Sequence, residues 1–187
     1  MRHSIKFKLS MLLTALMALT IFITWFINRT FLSDYYLHYK VNNLEDVFFK
    51  VQDIYAKSQE EIFLSEEDTL KMERLSSNSD VNIYVLMSFA GAPLSSYPHP
   101  NDMGDREQYQ IQSLIRDYMS RNANKKDRTV IEEKDNYVIY RLYDNNLDAN
   151  YIDLIGLLDG SKIVFLRSNF ESIQESVNLA NQFLGYI

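Results

Sequence analysis

The clearest pattern along the chain is an uncharged run of 19 residues, Leu9–Ile27, reading LSMLLTALMALTIFITWFI. As a helix rising about 1.5 Å per residue it is about 28 Å long, close to the hydrocarbon thickness of a bilayer. Its polar members are Ser10, Thr14, Thr20 and Thr24. Such hydroxyls can bond back to the preceding turn, so they do not block insertion. Trp25 stands near the far end, where an interfacial aromatic is expected. A buried core helix is the competing reading. A cleaved signal peptide fits less well, because the run exceeds a typical apolar core and Trp25-Phe26-Ile27-Asn28-Arg29 offers no small-residue cleavage site. The pattern predicts an uncleaved signal anchor.

The periodicity then changes from uniformly apolar to amphipathic. Leu37, Val41, Leu44, Phe48, Val51 and Tyr55 recur at alternating four- and three-residue steps, a seam at heptad spacing that Val47 and Ile54 widen. No Pro or Gly occurs before Gly91, so the membrane helix can continue into this one as a single rod. The seam suits a domain core, a partner helix in a homodimer, or both.

Ser65-Glu66-Glu67-Asp68 reads as a helix start, with carboxylates near the positive helix end. That helix is expected to run to about Leu75, and the polar stretch Ser76–Asp80 to end it. Val81, Ile83, Val85 and Met87 alternate with Asn82, Tyr84 and Leu86 as in a strand. Ser88–Pro100 holds Gly91 and three prolines and reads as turn and loop. Ile111, Leu114, Ile115, Tyr118 and Asn122 share a helical face, which predicts a helix from about Asp105 to Arg121. Strands follow at Arg128–Glu133, Tyr137–Tyr143, Tyr151–Leu158 and Lys162–Arg167, the last two flanking the hairpin signal Asp159-Gly160. Ser168-Asn169-Phe170-Glu171 has the form of a capping box, and Phe170, Ile173, Val177, Ala180 and Leu184 continue it as a second amphipathic helix. The predicted class is α+β: an antiparallel sheet of four to five strands flanked by helices. Asn178–Ile187 carries no charge and reads as the start of a second span at which the sequence is cut. A helix tip docked on the domain is the alternative.

Charge sharpens the layout. Residues 1–8 carry Arg2, Lys6 and Lys8 and no acid. The net charge is −6, and beyond that tip 16 basic side chains face 25 acidic ones. A basic tip before the span favours an N-terminus inside and an acidic body outside. The acidic balance argues against nucleic-acid binding, which needs a basic surface. Cys is absent, which excludes disulfides and thiolate chemistry. The segments are therefore a cytoplasmic tip at 1–8, a transmembrane helix at 9–28, an extracytoplasmic domain at 29–168 and a juxtamembrane helix at 169–187.

No catalytic pattern accompanies this layout. His3, His38 and His99 form no helical pair with a carboxylate at metal-ligand spacing. His99 lies between two prolines near Asp102 and Asp105, which suits an exposed loop better than a metal site. There is no phosphate-binding Gly loop and no nucleophile elbow. The adjacent pairs Glu60/Glu61, Glu66/Glu67 and Glu132/Glu133 look like solvated faces. The best ligand candidates are Tyr137, Arg141 and Tyr143, on one face of a strand with Ile139. An arginine among aromatics suits a carboxylate-bearing ligand. A structural ion pair with an acid such as Asp153 is the competing role.

Three stretches carry a resemblance. They are Arg2-His3-Ser4-Ile5-Lys6-Phe7-Lys8 before the span, Phe31-Leu32-Ser33-Asp34-Tyr35-Tyr36 after it, and Leu166 to Val177 continuing through Asn178-Leu179-Ala180-Asn181-Gln182-Phe183-Leu184. Together they resemble the N-terminal input region of bacterial membrane-bound sensor histidine kinases. The resemblance implies a PAS-like sensor domain, a second span and a HAMP linker. It also implies a cytoplasmic kinase that uses ATP and Mg and signals to a response regulator. His38, in Leu37-His38-Tyr39-Lys40, does not match the phosphoacceptor pattern, so no catalytic residue carries over and no cofactor is expected in these residues. Two helices, one near each end of the chain, frame the outer domain, so an extracytoplasmic ligand or stress is expected to shift one against the other by about 1–2 Å. A homodimer is the expected working unit, because heptad seams seldom stay unpaired. A membrane-tethered binding or structural protein complete as given, or the input domain of a chemoreceptor or cyclase, fits the same layout.

Overall fold

The computed structural model describes residues 5–57, 63–89, 92–99, 103–104, 109, 111, 128–144, 148–158 and 162–170. Helix α1 runs from Ile5 to Lys57, 53 residues without a break, as expected of a stretch lacking Pro and Gly. In its apolar part the hydroxyls turn back on the helix: Thr14 Oγ1 donates to the Ser10 carbonyl at 3.0 Å and Thr24 Oγ1 to the Thr20 carbonyl at 2.9 Å. That leaves an outer surface of Leu12, Leu16, Leu19, Phe22 and Phe26, all exposed. None of the most apolar 18-residue stretch is buried, so the core-helix reading does not hold for it. Among the described residues, α1 is the one helix long and apolar enough to cross a membrane. The chain divides into two units, with residues up to His38 in one and Tyr39–Glu171 in the other.

The second unit is built on a six-stranded antiparallel sheet. Helix α2 (Glu66–Ser79) precedes β1 (Asn82–Phe89) and β2 (Ala92–Tyr97), and a meander follows of β3 (Arg128–Glu133), β4 (Tyr137–Asp144), β5 (Ala149–Leu157) and β6 (Lys162–Asn169). The spatial order is β2-β1-β6-β5-β4-β3, so β6 returns to pair with β1 at the centre. Strand alternation gives the sheet two faces. One carries Ile83, Val85, Ile139, Ile152, Leu154, Val164 and Leu166, all buried. The last two turns and more of α1 lie on it through Leu44, Val47, Phe48 and Val51, each fully buried. Each such side chain contributes about 1.5–3 kcal/mol by leaving water. The opposite face holds a second cluster of Tyr84, Leu86, Tyr140, Leu142, Ile155 and Phe165, covered by Met103 and Ile111.

The structure departs from the sequence expectation in three places. The sheet has six strands, not four to five, because Ala92–Tyr97 pairs with β1 although Gly91 and Pro93 read as loop. Its position at the sheet edge explains the tolerance of proline there. Helix α2 starts where expected, with Ser65 Oγ accepting from the Asp68 amide at 3.2 Å, but it continues through Ser76 to Ser79. Asp80, left-handed at φ 52°, caps it, and Ser76 Oγ donates to the Val81 carbonyl at 2.7 Å. These bonds hold residues of poor intrinsic helix preference in the last turn. Finally, Ser168 and Asn169 extend β6 instead of starting a helix. Ser168 pairs opposite Ile152 and is buried. The predicted juxtamembrane helix, with Ile173, Val177, Ala180 and Leu184, lies outside the described residues, as does the helix at 105–121 apart from helical Tyr109 and Ile111.

Candidate functional site

The register of β5 and β6 sets Asp153 directly opposite Arg167. Arg167 Nε donates to Asp153 Oδ1 at 2.9 Å and Nη2 to Oδ2 at 2.7 Å, a two-bond fork. Its third arm, Nη1, reaches Asp144 Oδ2 on β4 at 3.1 Å. The guanidinium stacks 4.5 Å over the Tyr151 ring, with Phe165 at 5.4 Å. Arg128 on β3 lies over Tyr140 of the same face at 5.4 Å. Asp153 is completely buried, and that burial pushes its carboxyl up while the Arg167 fork opposes the shift. Burial pushes Arg167 the other way, but Asp153 and Asp144 outweigh it and hold the guanidinium charged. This centre locks three strands together by charge-assisted bonds on a largely apolar face.

The expected ligand residues are distributed along the other face and serve separate partners. Tyr137 is buried against α1, with its ring 5.2 Å from Phe48 and its hydroxyl donating to Glu45. Lys134 Nζ donates to the same Glu45 oxygen at 2.6 Å. Burial pushes the Glu45 carboxyl up, but the bonds from Lys134 and Tyr137 outweigh it and keep it low. Arg141 is half-buried, its guanidinium 4.6 Å over the Phe170 ring. Tyr143 is 38% exposed, and its hydroxyl donates to Asp148. The proposed Arg141–Asp153 pair does not form. Asp153 is the cross-strand partner of Tyr140, which puts it on the face that Arg141 does not share.

Arg167 was hidden in the sequence as the polar end of an apolar strand. Asp153 and Arg167 each stand seven residues from Gly160, so a connection centred on that glycine brings them together. The Leu158 amide donates to the Lys162 carbonyl at 3.0 Å, and Leu157 pairs opposite Ile163, so β5 and β6 run antiparallel on either side of Asp159-Gly160.

The helix-seam residues are likewise placed. Val41, Leu44, Phe48, Val51 and Tyr55 are buried within their own domain, and Leu37 is half-buried. Phe170 is also buried, with its amide donating to the Asn150 carbonyl at 2.9 Å. No family model, curated protein or solved structure matches this chain.

Two other polar clusters sit on the α1 side of the sheet. Lys40 is buried and donates to Ser168 Oγ at 2.9 Å and to Asp80 Oδ2 at 3.2 Å, while Asn43 Nδ2 donates to the Ser79 carbonyl at 2.8 Å. At the other end of the same face Tyr55 and Ser96 hydroxyls lie 3.2 Å apart, and the Lys162 ammonium stands 5.0 Å over the Tyr55 ring. Burial pushes the Tyr55 hydroxyl well above its ordinary range and Tyr97 up to about 12, so both stay protonated at neutral pH. A cavity of about 290 Å³ opens beside the β3–β4 turn, lined by Lys134, Asn136, Val138, Ile155, Leu157 and Ile163.

Proposed function

We propose that this chain is the signal-input region of a membrane-bound sensor histidine kinase, anchored by the first part of α1 with its acidic body outside the cytoplasm. The observation that carries the reading is the double use of α1. One helix contains both an apolar stretch with no buried residue and the Leu44–Val51 segment that forms the domain's core. A change in how the sheet packs on Leu44, Val47, Phe48 and Val51 therefore acts on the helix that enters the lipid. The sheet, with a helix across one face and a separate apolar cluster on the other, is taken as a PAS-like sensor domain with an extra strand. The whole protein would continue through a second span to a HAMP linker and a dimeric kinase that uses ATP and Mg to phosphorylate a response regulator. The three sequence stretches that resemble such kinases support this reading.

Two experiments test it. A reporter fused after Tyr143 is expected to be active only outside the cytoplasm, and cytoplasmic activity overturns the orientation. In the second, residues 1–187 replace the input region of a two-component kinase with a transcriptional readout. Packing changes such as Val47→Ala are expected to reset basal output by several-fold at unchanged protein level. Output that ignores every such core variant overturns the sensing role.

A further inference from the structure

The cavity of about 290 Å³ beside the β3–β4 turn has a floor that the strand registers lay out. Ile163 on β6 stands opposite Leu157 on β5, Ile155 on β5 opposite Val138 on β4, and Val138 in turn opposite Glu133 on β3. Four aliphatic side chains thus cross three strands and end at a carboxylate on the fourth. They belong to the sheet face that α1 does not cover, where Val138 and Ile163 border the second apolar cluster. Ile155 is buried, Val138 and Ile163 are half-buried, and Leu157 is 50% exposed. The volume is roughly twice that of a 150 Å³ apolar cavity able to hold benzene, so the space suits a ring with a short chain.

The charge around this floor is one-sided. Glu133 and Asp135 line the cavity and are exposed. No basic side chain or hydrogen-bond donor among the described residues meets either carboxylate. Lys134 lines the cavity too, but its ammonium is committed to Glu45 at 2.6 Å and Glu132 at 3.0 Å. Glu132 pairs opposite Ile139, on the α1 face, so that network lies across the sheet from Glu133. An exposed ion pair contributes little by itself. The aliphatic floor must therefore supply most of the affinity, while the two free acids fix the sign of the group bound at its edge.

We propose that this cavity binds a small organic cation, an amine whose apolar body lies on Val138, Ile155, Leu157 and Ile163 and whose ammonium meets Glu133 and Asp135. Tyr137 and Gly156 also line the cavity, and on the α1 side of the sheet both residues meet Phe48. A ligand here is thus one layer of backbone away from the core contact of α1. The site itself does not rest on the sensing role, because binding is read on the purified chain.

The test uses the full chain in a non-ionic detergent at pH 7, with 2-phenylethylamine as the probe. Two compounds serve as controls at the same concentration: 3-phenylpropionate, which has a similar body and the opposite charge, and ethylamine, which has the charge and almost no body. At tenfold excess over its dissociation constant the probe is expected to raise the unfolding midpoint by about 3 °C, and neither control does so. The double variant Glu133→Gln, Asp135→Asn changes two exposed positions and keeps their shape. It is expected to bind about tenfold more weakly, which cuts the rise to about 1 °C at the same probe concentration. Leu157→Ser, at a half-exposed position, strips part of the floor and should also reduce the rise. No rise with 2-phenylethylamine, an equal rise with either control, or an undiminished rise in either variant overturns the proposal.

Discussion

Lys40 Nζ donates a 2.9 Å hydrogen bond to Ser168 Oγ, across 128 residues of sequence. It ties α1 to the end of β6, and the second bond to Asp80 draws in the cap of α2. Ser168 is committed to the same knot, since its hydroxyl also lies 3.3 Å from the Asp80 carbonyl. Three elements are thus fixed at the point where β6 hands the chain on toward residue 171.

Lys40→Met keeps most of the buried stem and removes the donor. The loss is expected to be about 1–2 kcal/mol, the range for a buried bond to a charged group offset by relief of a desolvated ammonium. Denaturant unfolding of the full chain in detergent measures it. Because Asp80 is largely exposed, Asp80→Asn should cost far less than Lys40→Met. Equal losses would show that the Ser168 bond contributes nothing.

Gly156 is fixed by space and not by backbone angle. A Cβ there would sit 2.9 Å from Phe48 Cζ, overlap the same ring further along its edge, and stand 3.1 Å from the Asn136 carbonyl oxygen. Phe48 is fully buried and has no room to yield. Gly156→Ala is therefore expected to cost about 2–3 kcal/mol through overpacking. Phe48→Leu in the same chain should recover part of it, a non-additivity that a double-mutant cycle reads directly. Strict additivity would place the clash elsewhere.

These two sites show what sequence made legible. The heptad spacing of Val41, Leu44, Phe48, Val51 and Tyr55 puts them on one face of α1, because side-chain direction on a helix follows from spacing, and these five are buried. What that face touches is a tertiary fact, and Phe48 of it packs against Tyr137 of the chain's own sheet. Strand β2 was not legible because Pro93 argues against a strand unless its edge position is known. Asp153 was visible as an acid in an apolar strand, but its partner depended on register. The β5–β6 register sets Asp153 opposite Arg167, and the β4–β5 register sets it opposite Tyr140, on the face that Arg141 does not share.

Glu45 contributes to the acid limb of stability. Burial raises its carboxyl, but the hydrogen bonds from Lys134 and Tyr137 exceed that and hold it below its ordinary 4.5. A group depressed in the folded state contributes stability that is complete above its unfolded value and disappears as pH falls through its folded value. Wild type should therefore exceed Glu45→Gln by about 1 kcal/mol at pH 7. The gap should close progressively below pH 4.5, where the carboxylate protonates. Unfolding midpoints of both proteins across pH 3–7 measure this. A gap that stays constant with pH would mean that Glu45 acts by packing alone.

The Asp153–Arg167 pair predicts an asymmetry between single and double replacement. Arg167→Met leaves Asp153, completely buried, without its fork. The expected cost is about 3–5 kcal/mol, the penalty for an uncompensated interior charge. At lower pH that penalty should shrink, because protonation removes the stranded charge. Asp153→Leu is expected to be milder, since Arg167 keeps Asp144 at 3.1 Å and its stacking on Tyr151. The combination Asp153→Leu with Arg167→Met removes both charges from a face already built of Tyr84, Leu86, Ile155 and Phe165. It should lie within about 1–2 kcal/mol of wild type, well short of the sum of the singles. Such a variant that folds with unchanged output in the kinase graft would assign the pair to stability. One that folds but loses its response would make this salt bridge part of the signalling state itself.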